Sequence, residues 1–470
     1  MRFSVATLAA CVPVSAAFAT CIYSRSTIFP CSKKHLADEG TTYKRHYCTT
    51  AICCPARVSL WTGKQAHNTS VTDVSPPYGS KKAGYDTYYT GKLFNAHTVD
   101  NYDSPYIAGC NGSDFLLDPY TYSYLNATFQ RNRDPPVSYE GQYSVDVLAE
   151  KAYGFLGEAA KNVHNRPFFL GIAPIAPHSN VEPRFPSSSS SSSSSDSATL
   201  HRHVIVPRTP HFNPSSRASG VSWISRLPHQ SAENVAFNDQ FYRQRLRALQ
   251  SVDELVAGVV ARLERHGLLE NTYVFYTADN GYYIGQHRLQ PGKECGFEED
   301  INVPLIVGGP GVKKGEVAEV VTSHVDLAPT VLKLAGALGN KEKEEEEYRL
   351  DGEAIPLTAE DLVQAKVKGK RYKHITVDNT YKAVRILGER YNIYYSIWCS
   401  GEYKLYDLQF NNLLNPLSLA TRKTLATLLG VSVQKVVVRF NSLLFVLKSY
   451  KGKTCIRPWE ALHPAGNVQN

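Results

Sequence analysis

The sequence predicts an α/β protein with a mostly parallel central sheet and a smaller C-terminal α+β subdomain. Two successive helix–strand pairs are the main support for this class. Apolar residues at helical spacing over 143–161 precede a buried-strand pattern at 167–173. A long amphipathic helix over 235–266 likewise precedes a strand of β-branched and aromatic residues at 272–277. Alternating helices and strands favour a sheet that is covered by helices on both faces.

The remaining predicted elements fit the same plan in chain order. Residues 36–64 predict the end of a helix, a strand and a turn into a new helix, and residues 84–92 predict a Tyr- and Thr-rich strand. A strand at 302–307 and a helix at 326–335 continue the alternation. The C-terminal subdomain is predicted from strands at 374–377, 384–387 and 393–398 and a helix near 417–450.

The length and composition fit a globular protein with one large domain and one small one. The chain has 470 residues, of which 43% are hydrophobic and 20% charged, and its net charge is +8. No basic run is dense enough to indicate binding of nucleic acid. We expect a signal peptide at 1–19, a main domain at 20–370 and a subdomain at 371–470. The serine run at 187–195 and the charged run at 341–347 predict solvated insertions.

The N-terminus predicts a secreted protein. Arg2 precedes an apolar stretch, and residues 17–19 form a small-x-small pattern, so we expect cleavage after Ala19. No later segment has the ~18 consecutive apolar residues of a membrane helix. Three N-glycosylation triplets fit the same compartment and begin at Asn68, Asn111 and Asn126. Disulfides are also expected there, with the pairing open among Cys21, Cys31, Cys48, Cys54, Cys110, Cys295, Cys399 and Cys455.

Residues 53–64 hold the most specific motif, Cys-Cys-Pro-Ala-Arg-Val-Ser-Leu-Trp-Thr-Gly-Lys. Its pattern Cys-x-Pro-x-Arg begins at Cys53, and Arg57 follows one helical turn later. We expect a helix to begin here, whose free N–H groups and dipole would favour an anion by up to ~2 kcal/mol. Taken alone, the adjacent pair Cys53 and Cys54 would more often indicate disulfide cysteines.

Two further motifs follow predicted strands. Asp279-Asn280-Gly281 follows the strand at 272–277, and ligands of open α/β sheets collect at the carboxyl ends of strands. Two adjacent side-chain oxygens suit a hard cation such as Ca²⁺, although Asp-Asn-Gly alone is more often a turn. His178 follows the strand at 167–173 and is a candidate acid, although a lone histidine is more often structural.

Together these motifs resemble those of the type I sulfatases, and the chain is most similar to the secreted arylsulfatases of filamentous fungi. The resemblance extends from about residue 36 to the C-terminus. It implies the alkaline-phosphatase-like fold and hydrolysis of sulfate esters, with a small sulfate ester as the partner. It also implies that a formylglycine-generating enzyme oxidises Cys53 to formylglycine, whose hydrated aldehyde is the nucleophile.

The resemblance also implies roles for individual residues. The catalytic positions are matched by Cys53, Arg57, Lys92, His178 and Lys293. One Ca²⁺ ion would be bound by Asp279, Asn280 and the modified Cys53, and possible substrate contacts are Asn95 and His287. The sulfate would be held by Ca²⁺ and by Arg57, Lys92 and Lys293. Asp279 would help to deprotonate the formylglycine hydrate, and His178 or Lys293 would protonate the leaving oxygen.

One family element has no counterpart in the sequence. The first buried strand of the family ends in an Asp-Asp pair that completes the calcium site, but residues 19–35 contain neither Asp nor Glu. Ca²⁺ takes ~6–8 oxygen ligands, so water would have to supply most of them. Missing coding sequence or a loss of activity would each explain the difference. Two alternatives therefore stay open: a phosphonate or phosphodiester hydrolase on the same scaffold, and a catalytically impaired secreted glycoprotein.

Overall fold

The computed structural model describes the following residues: 4–5, 28–69, 85–104, 109–179, 201–215, 221–338, 350–367, 372–373, 381–387, 392–408, 432–458 and 462. Several predicted features lie outside them, namely the serine run at 187–195, the charged run at 341–347, the strand at 374–377 and the first part of the helix near 417–450. Of the predicted signal peptide, the structure describes only Ser4 and Val5.

The strands are β1 (Ser4–Val5), β2 (Gly40–Tyr47), β3 (Asp86–Gly91), β4 (Gly112–Leu116), β5 (Asn126–Arg131), β6 (Val137–Glu140), β7 (Phe168–Ala173), β8 (Thr272–Thr277), β9 (Leu305–Gly308), β10 (Glu316–Ser323), β11 (Tyr372–Lys373), β12 (Tyr381–Leu387), β13 (Asn392–Trp398) and β14 (Tyr403–Asp407).

The α-helices are α1 (Pro30–Ser32), α2 (Cys53–Thr62), α3 (Ala66–Thr69), α4 (Ser144–Asn162), α5 (Ser222–Ser225), α6 (Ala232–Arg265), α7 (Glu298–Ile301), α8 (Leu327–Leu334), α9 (Ala359–Val367), α10 (Val433–Ser449) and α11 (Lys453–Ile456). A π-helical turn follows α1 at Lys33–Ala37, and short 3-10 helices lie at Tyr120–Tyr122, Leu269–Asn271 and His324–Asp326. None of the helices in the described residues is both long and apolar enough to cross a membrane.

The main sheet has the strand order β10-β2-β9-β8-β1-β7-β3-β4-β5-β6. Its centre, from β8 to β4, is parallel. Strand β9 was predicted at 302–307; it begins later and runs antiparallel to both β8 and β2. Because β8, β7 and β3 run in one direction, their carboxyl ends meet at one edge of the sheet.

Side-chain alternation along the central strands covers the sheet on both faces. Leu170 of β7 and Val274 of β8 lie in one apolar core with Val259 of α6. Phe275, the next residue of β8, lies in a second core with Val58 of α2. This arrangement gives the predicted layers of helix, sheet and helix.

The two residues of β1 lie between β7 and β8, inside the segment predicted as a signal peptide. Val5 pairs with Phe169 on one side and with Tyr273 on the other. The sequence predicts no strand here, because the apolar run after Arg2 is typical of a leader. Cleavage after Ala19 stays a prediction. If it occurs, it removes β1 from its place between β7 and β8.

The strands β11 to β14 form a separate antiparallel sheet. Val384 and Tyr395 of this sheet share a core with Phe440 of α10. The predicted fold class, an α/β sheet protein with a smaller C-terminal α+β subdomain, is confirmed. The predicted boundaries at 20–370 and 371–470 stay predictions.

Candidate active site

Cys53 is the first residue of α2, and it lies buried at the start of that helix. The preceding Ile52 is extended, and no side chain caps the N–H groups of the first turn. Gly63, with a φ of 65°, ends the helix in the left-handed conformation that glycine favours. An uncapped and buried helix start favours an anion beside Cys53.

Most of the cysteines in the described residues form no disulfide. Free thiols are present at Cys31, Cys48, Cys53, Cys54, Cys295 and Cys455. Disulfides are therefore absent at five of the predicted positions, namely Cys31, Cys48, Cys54, Cys295 and Cys455, and Cys53 has the free thiol that conversion to formylglycine needs.

Lys293 lies directly against Cys53. Its Nζ donates a hydrogen bond to the Cys53 Sγ at 2.6 Å. The Tyr283 hydroxyl donates to the Lys293 carbonyl at 2.9 Å and so holds the backbone of the lysine. Burial alone would lower the pKa of Lys293, but the contacts with Cys53 and the charge of Asp279 raise it above its usual value. The lysine therefore stays protonated.

Asp279 and Arg57 form a buried ion pair behind these residues. The Arg57 Nε lies 2.9 Å from the Asp279 Oδ2, and each side chain is 1% exposed. The Arg57 Nη1 also donates to the carbonyl of Lys92 at 2.6 Å. Although burial would raise the pKa of Asp279, the charge of Arg57 and then those of Lys293 and Lys92 hold it below its usual range. Arg57 therefore joins the ends of β8 and β3.

Lys92 follows β3 and is held by Tyr122. Its Nζ donates to the Tyr122 hydroxyl at 2.7 Å, and the Asn95 Nδ2 donates to the same oxygen at 2.9 Å. Burial lowers the pKa of Lys92; the neighbouring Cys53 opposes that shift, and the charges of Arg57 and Lys293 add to it. Since Lys92 donates to Tyr122 with one of its three N–H groups, the others remain for an anion.

Gly91 brings Lys92 close to the segment that carries His178. The φ of Gly91 is 101°, and a Cβ at this position would lie 2.2 Å from the Ala173 carbonyl oxygen. The Lys92 N–H donates to the same oxygen at 3.0 Å. The ends of β3 and β7 can meet this closely only because residue 91 has no side chain.

His178 follows β7 and lies against Tyr122, with a ring separation of 4.5 Å. Its Nδ1 lies 2.9 Å from the Ser179 carbonyl, and its own carbonyl accepts from the Tyr124 hydroxyl at 2.9 Å. Burial first, and then the charges of Lys293 and Lys92, lower the pKa of His178 to about 3. The ring is therefore neutral at pH 7. Since a carbonyl only accepts, Nδ1 carries the proton and Nε2 does not.

The predicted metal ligands are consistent with a bound cation. Asp279 and Asn280 are both fully buried. The Asp279 Oδ1 accepts from the Asn280 N–H, and the Asn280 Oδ1 has no hydrogen-bond partner. An unsatisfied buried amide oxygen is a ligand that a hard cation would satisfy.

The other predicted positions lie apart from this group. His287 contacts His211, Phe297 and Glu299, which belong to a different buried cluster. Its role as a substrate contact stays a prediction. Among the predicted glycosylation sites, Asn111 is exposed and Asn126 is partly buried. The Nδ2 of Asn68 donates to Asp351 and to the Tyr450 carbonyl. The three acceptor sites stay predictions.

Sequence inspection missed three residues around the site. Tyr122 bonds both Lys92 and Asn95, and Tyr124 holds the His178 backbone. His324 lies 2.9 Å from the Ala278 carbonyl, immediately before Asp279, and burial lowers its pKa to about 4. The alternation of tyrosines at 120–124 was a sequence signal that could have identified Tyr122 and Tyr124. No sequence pattern pointed to His324.

Comparison with known proteins supports the resemblance drawn from the motifs. The sulfatase family matches residues 17–337. A protein named sulfatase ppz1 from Metarhizium majus (strain ARSEF 297) is 40% identical over 360 residues, covering 75% of this chain and 77% of that protein. An arylsulfatase from Volvox carteri is 33% identical over 502 residues, covering 93% and 74%.

A solved structure supports the fold. It is described as a complex with its substrate D-glucosamine-2-N,6-O-disulfate, and it has a TM-score of 0.67, 17% identity and 99% coverage of both chains. At this identity the likeness establishes the architecture alone. The family match and the two sequence relatives confirm the predicted resemblance and the class of sulfuric ester hydrolases. This chain belongs to the sulfatase family.

Proposed function

We propose that this chain hydrolyses sulfate esters, with aryl sulfates as the test substrates, through a formylglycine derived from Cys53. The contact that carries the proposal is the 2.6 Å separation between the Lys293 Nζ and the Cys53 Sγ. It brings a protonated amine to the predicted nucleophile, at the start of a helix without a cap. Formylglycine would supply two hydroxyl groups on one carbon, one to attack sulfur and one to release sulfate.

The cationic side chains have different tasks in this proposal. Lys92 and Lys293 have N–H groups for the sulfate oxygens. Arg57 is engaged by Asp279 and by the Lys92 carbonyl, so it contributes fixed charge and positions its partners. Charge that develops on sulfonyl oxygens is stabilised by donors that are already in place.

Lys293 is the better proton donor for the leaving oxygen. The pKa of His178 is lowered to about 3, and its Nδ1 proton is directed at the Ser179 carbonyl. The neutral ring therefore has no proton on Nε2 to give. As the ester S–O bond breaks, Lys293 would transfer a proton from its ammonium Nζ to the departing oxygen, and a proton from water would later restore the ammonium.

We propose Ca²⁺ as the metal, held by Asp279 and Asn280. A bound cation would neutralise the charge of the sulfate oxygens. The low pKa of Asp279 makes it a weak base, so its contribution is to bind the cation and to orient the nucleophile. The unpartnered Asn280 Oδ1 supports this assignment.

The test compares two neighbouring cysteines. We would co-express the chain with a formylglycine-generating enzyme, examine the peptide of residues 46–64 by mass spectrometry, and assay an aryl sulfate. Cys53→Ala should lose conversion and at least about a thousandfold in kcat. Cys54→Ala is the matched control, because Cys54 packs in the apolar core and should retain both. Equal activity of the two variants would contradict the proposal.

The same preparation separates the alternatives. An aryl phosphonate or phosphodiester that turns over faster than the aryl sulfate would favour the related hydrolase. Complete conversion of Cys53 without turnover of any substrate would favour a catalytically impaired glycoprotein, which the small set of metal ligands would explain.

The compartment is part of the proposal. The leader-like segment at 1–19 and the acceptor triplets together favour passage through the secretory pathway, where the proposed conversion of Cys53 would take place. N-terminal sequencing of the protein collected from culture medium, with and without glycosidase, would test this. A start at Met1 in protein without glycans would contradict it.

A further inference from the structure

The structure has a second buried group of ionisable side chains, outside the candidate active site. His211, His287 and Glu299 are each less than 9% exposed, and one ligand atom from each lies within 4.8 Å of the other two. We propose that these three residues bind a divalent transition-metal ion, with Zn²⁺ as the best fit, separate from the metal of the candidate active site.

The charge balance of this group calls for a cation. In the described residues, Glu299 makes ion-pair contacts with the two imidazoles and with no lysine or arginine. The nearby Arg288 directs its guanidinium at the carbonyls of Pro214, Ser215 and Leu227. A buried carboxylate is costly unless it is well paired, and a divalent ion would add to the pairing that the imidazoles give to Glu299.

The orientation of the side chains leaves two ligand atoms unused. The His287 Nε2 lies 3.9 Å from the Glu299 Oε2, and both atoms are buried without a hydrogen-bond partner. The other carboxylate oxygen contacts the His211 Nε2. The bond from Zn²⁺ to each ligand is about 2.0–2.2 Å, which small side-chain shifts would allow.

The backbone fixes the three ligands before any ion binds. The His287 N–H donates to the His211 carbonyl at 2.7 Å, and the two imidazole rings stack at 5.2 Å. Phe297 stacks on the other face of His287 at 3.9 Å. The Glu299 carbonyl accepts from the Tyr282 N–H at 2.6 Å. The loop that carries His211 therefore meets the region of His287 and Glu299, more than 70 residues later in the chain, at a preformed site.

The ligand types select the metal. Two imidazoles and one carboxylate are a set that Zn²⁺ takes in tetrahedral sites, whereas Ca²⁺ prefers oxygen ligands alone. The fourth position would be filled by water. The ion would tie residues 201–215 to the segment between Asn280 and Lys293 and to α7.

The direct test uses the full chain after treatment with a chelator. We would add Zn²⁺ and measure bound metal by mass spectrometry of the elements, and we would add Co²⁺ and record its visible absorption. We expect one tightly held equivalent of Zn²⁺, the intense bands of tetrahedral Co²⁺, and a higher Tm on addition of Zn²⁺. Failure of the folded wild-type chain to take up Zn²⁺ would overturn the proposal, and the His211–Glu299 contact would then be a hydrogen-bonded pair.

Variants locate the ion. His287→Gln and Glu299→Gln should each lose most of the bound Zn²⁺, and His203→Gln, an exposed histidine on the same segment as His211, should retain it. Asp279→Asn should also retain Zn²⁺, which separates this site from the candidate active site. Equal zinc content in wild type and in both ligand variants would place the ion elsewhere. The metal measurements do not depend on sulfate hydrolysis, so they stand whether or not the proposed function holds.

Discussion

The molecule has two buried groups of ionisable residues, and they are built in different ways. The group around Cys53 and Lys293 combines several cations with one carboxylate. The group around Glu299 combines one carboxylate with two imidazoles. The first has spare N–H donors that suit an anion, and the second has spare lone pairs that suit a cation.

The difference shows how local and distant structure contribute to a site. Lys92, His178 and Asp279 each follow the end of a parallel strand, so the sheet brings them to one edge. His211 and His287 meet through a hydrogen bond between two loops instead. Sites at strand ends are therefore visible in sequence motifs, and sites between loops are not.

The largest effect is expected at Lys293. Lys293→Ala should lower kcat by about 10²–10⁴-fold, because it removes the proton donor nearest to Cys53. The measurement is steady-state hydrolysis of an aryl sulfate. Lys314→Ala, which changes an exposed lysine paired with Glu39, should leave the rate unchanged. A rate for Lys293→Ala within tenfold of wild type would remove Lys293 from the mechanism.

The buried Arg57–Asp279 ion pair should contribute more to the free energy of unfolding than an exposed ion pair does. Arg57→Met leaves the Asp279 carboxylate buried without its partner and should reduce the free energy of unfolding by about 3–5 kcal/mol. Arg166→Met breaks an Arg–Asp pair whose arginine side chain is 55% exposed, and should cost about 1 kcal/mol or less. Urea unfolding of both variants gives the comparison. Similar losses would mean that burial of the Arg57 pair contributes little.

The pH dependence of stability should reveal the neutral imidazole of His178. Its pKa is about 3 when folded and 6.5 when exposed, so between these values the unfolded chain binds a proton that the folded chain does not. The free energy of unfolding should therefore fall by about 2 kcal/mol from pH 7 to pH 5 on account of this residue. His178→Gln should remove that part of the slope. An unchanged slope would mean that the folded ring titrates normally.

The smallest effect is expected at Tyr122. Tyr122→Phe removes the acceptor shared by Lys92 and Asn95 and should raise KM by roughly fivefold, which corresponds to about 1 kcal/mol. Tyr139→Phe is a matched control, because its hydroxyl also accepts from a lysine, Lys151, that lies away from the site. A KM increase in both variants would point to a general loss of packing.

The sequence predicted those parts of the candidate active site that lie at the ends of helices and strands, and it did not predict those that depend on packing. The Cys-x-Pro-x-Arg motif, the Asp-Asn pair and His178 were identifiable because each joins a short pattern to a regular element. The Arg57–Asp279 pair was not predicted, because it depends on the packing of α2 against the end of β8. Tyr122 was missed because it lies on a short 3-10 turn, and the alternating tyrosines at 120–124 belong to no predicted helix or strand.

The sheet showed a further limit. Its centre follows from helix–strand alternation, whereas β4, β5 and β6 were not predicted, because strands of only four to six residues give too short a pattern to identify. The antiparallel direction of β9 also has no signature in composition. The two residues of β1 were assigned to a leader, since an apolar N-terminal run carries that signal whatever its place in the fold.

Gly281 has a consequence for any attempt to re-engineer this protein. Its N–H donates to the Asp300 carbonyl, and a Cβ there would lie 2.0 Å from the Glu299 carbonyl oxygen. Every other amino acid would force these two strips of backbone apart. A mutational library that varies this codon would damage the Asp-Asn pair and the imidazole cluster together, so neither centre can be redesigned through this position alone.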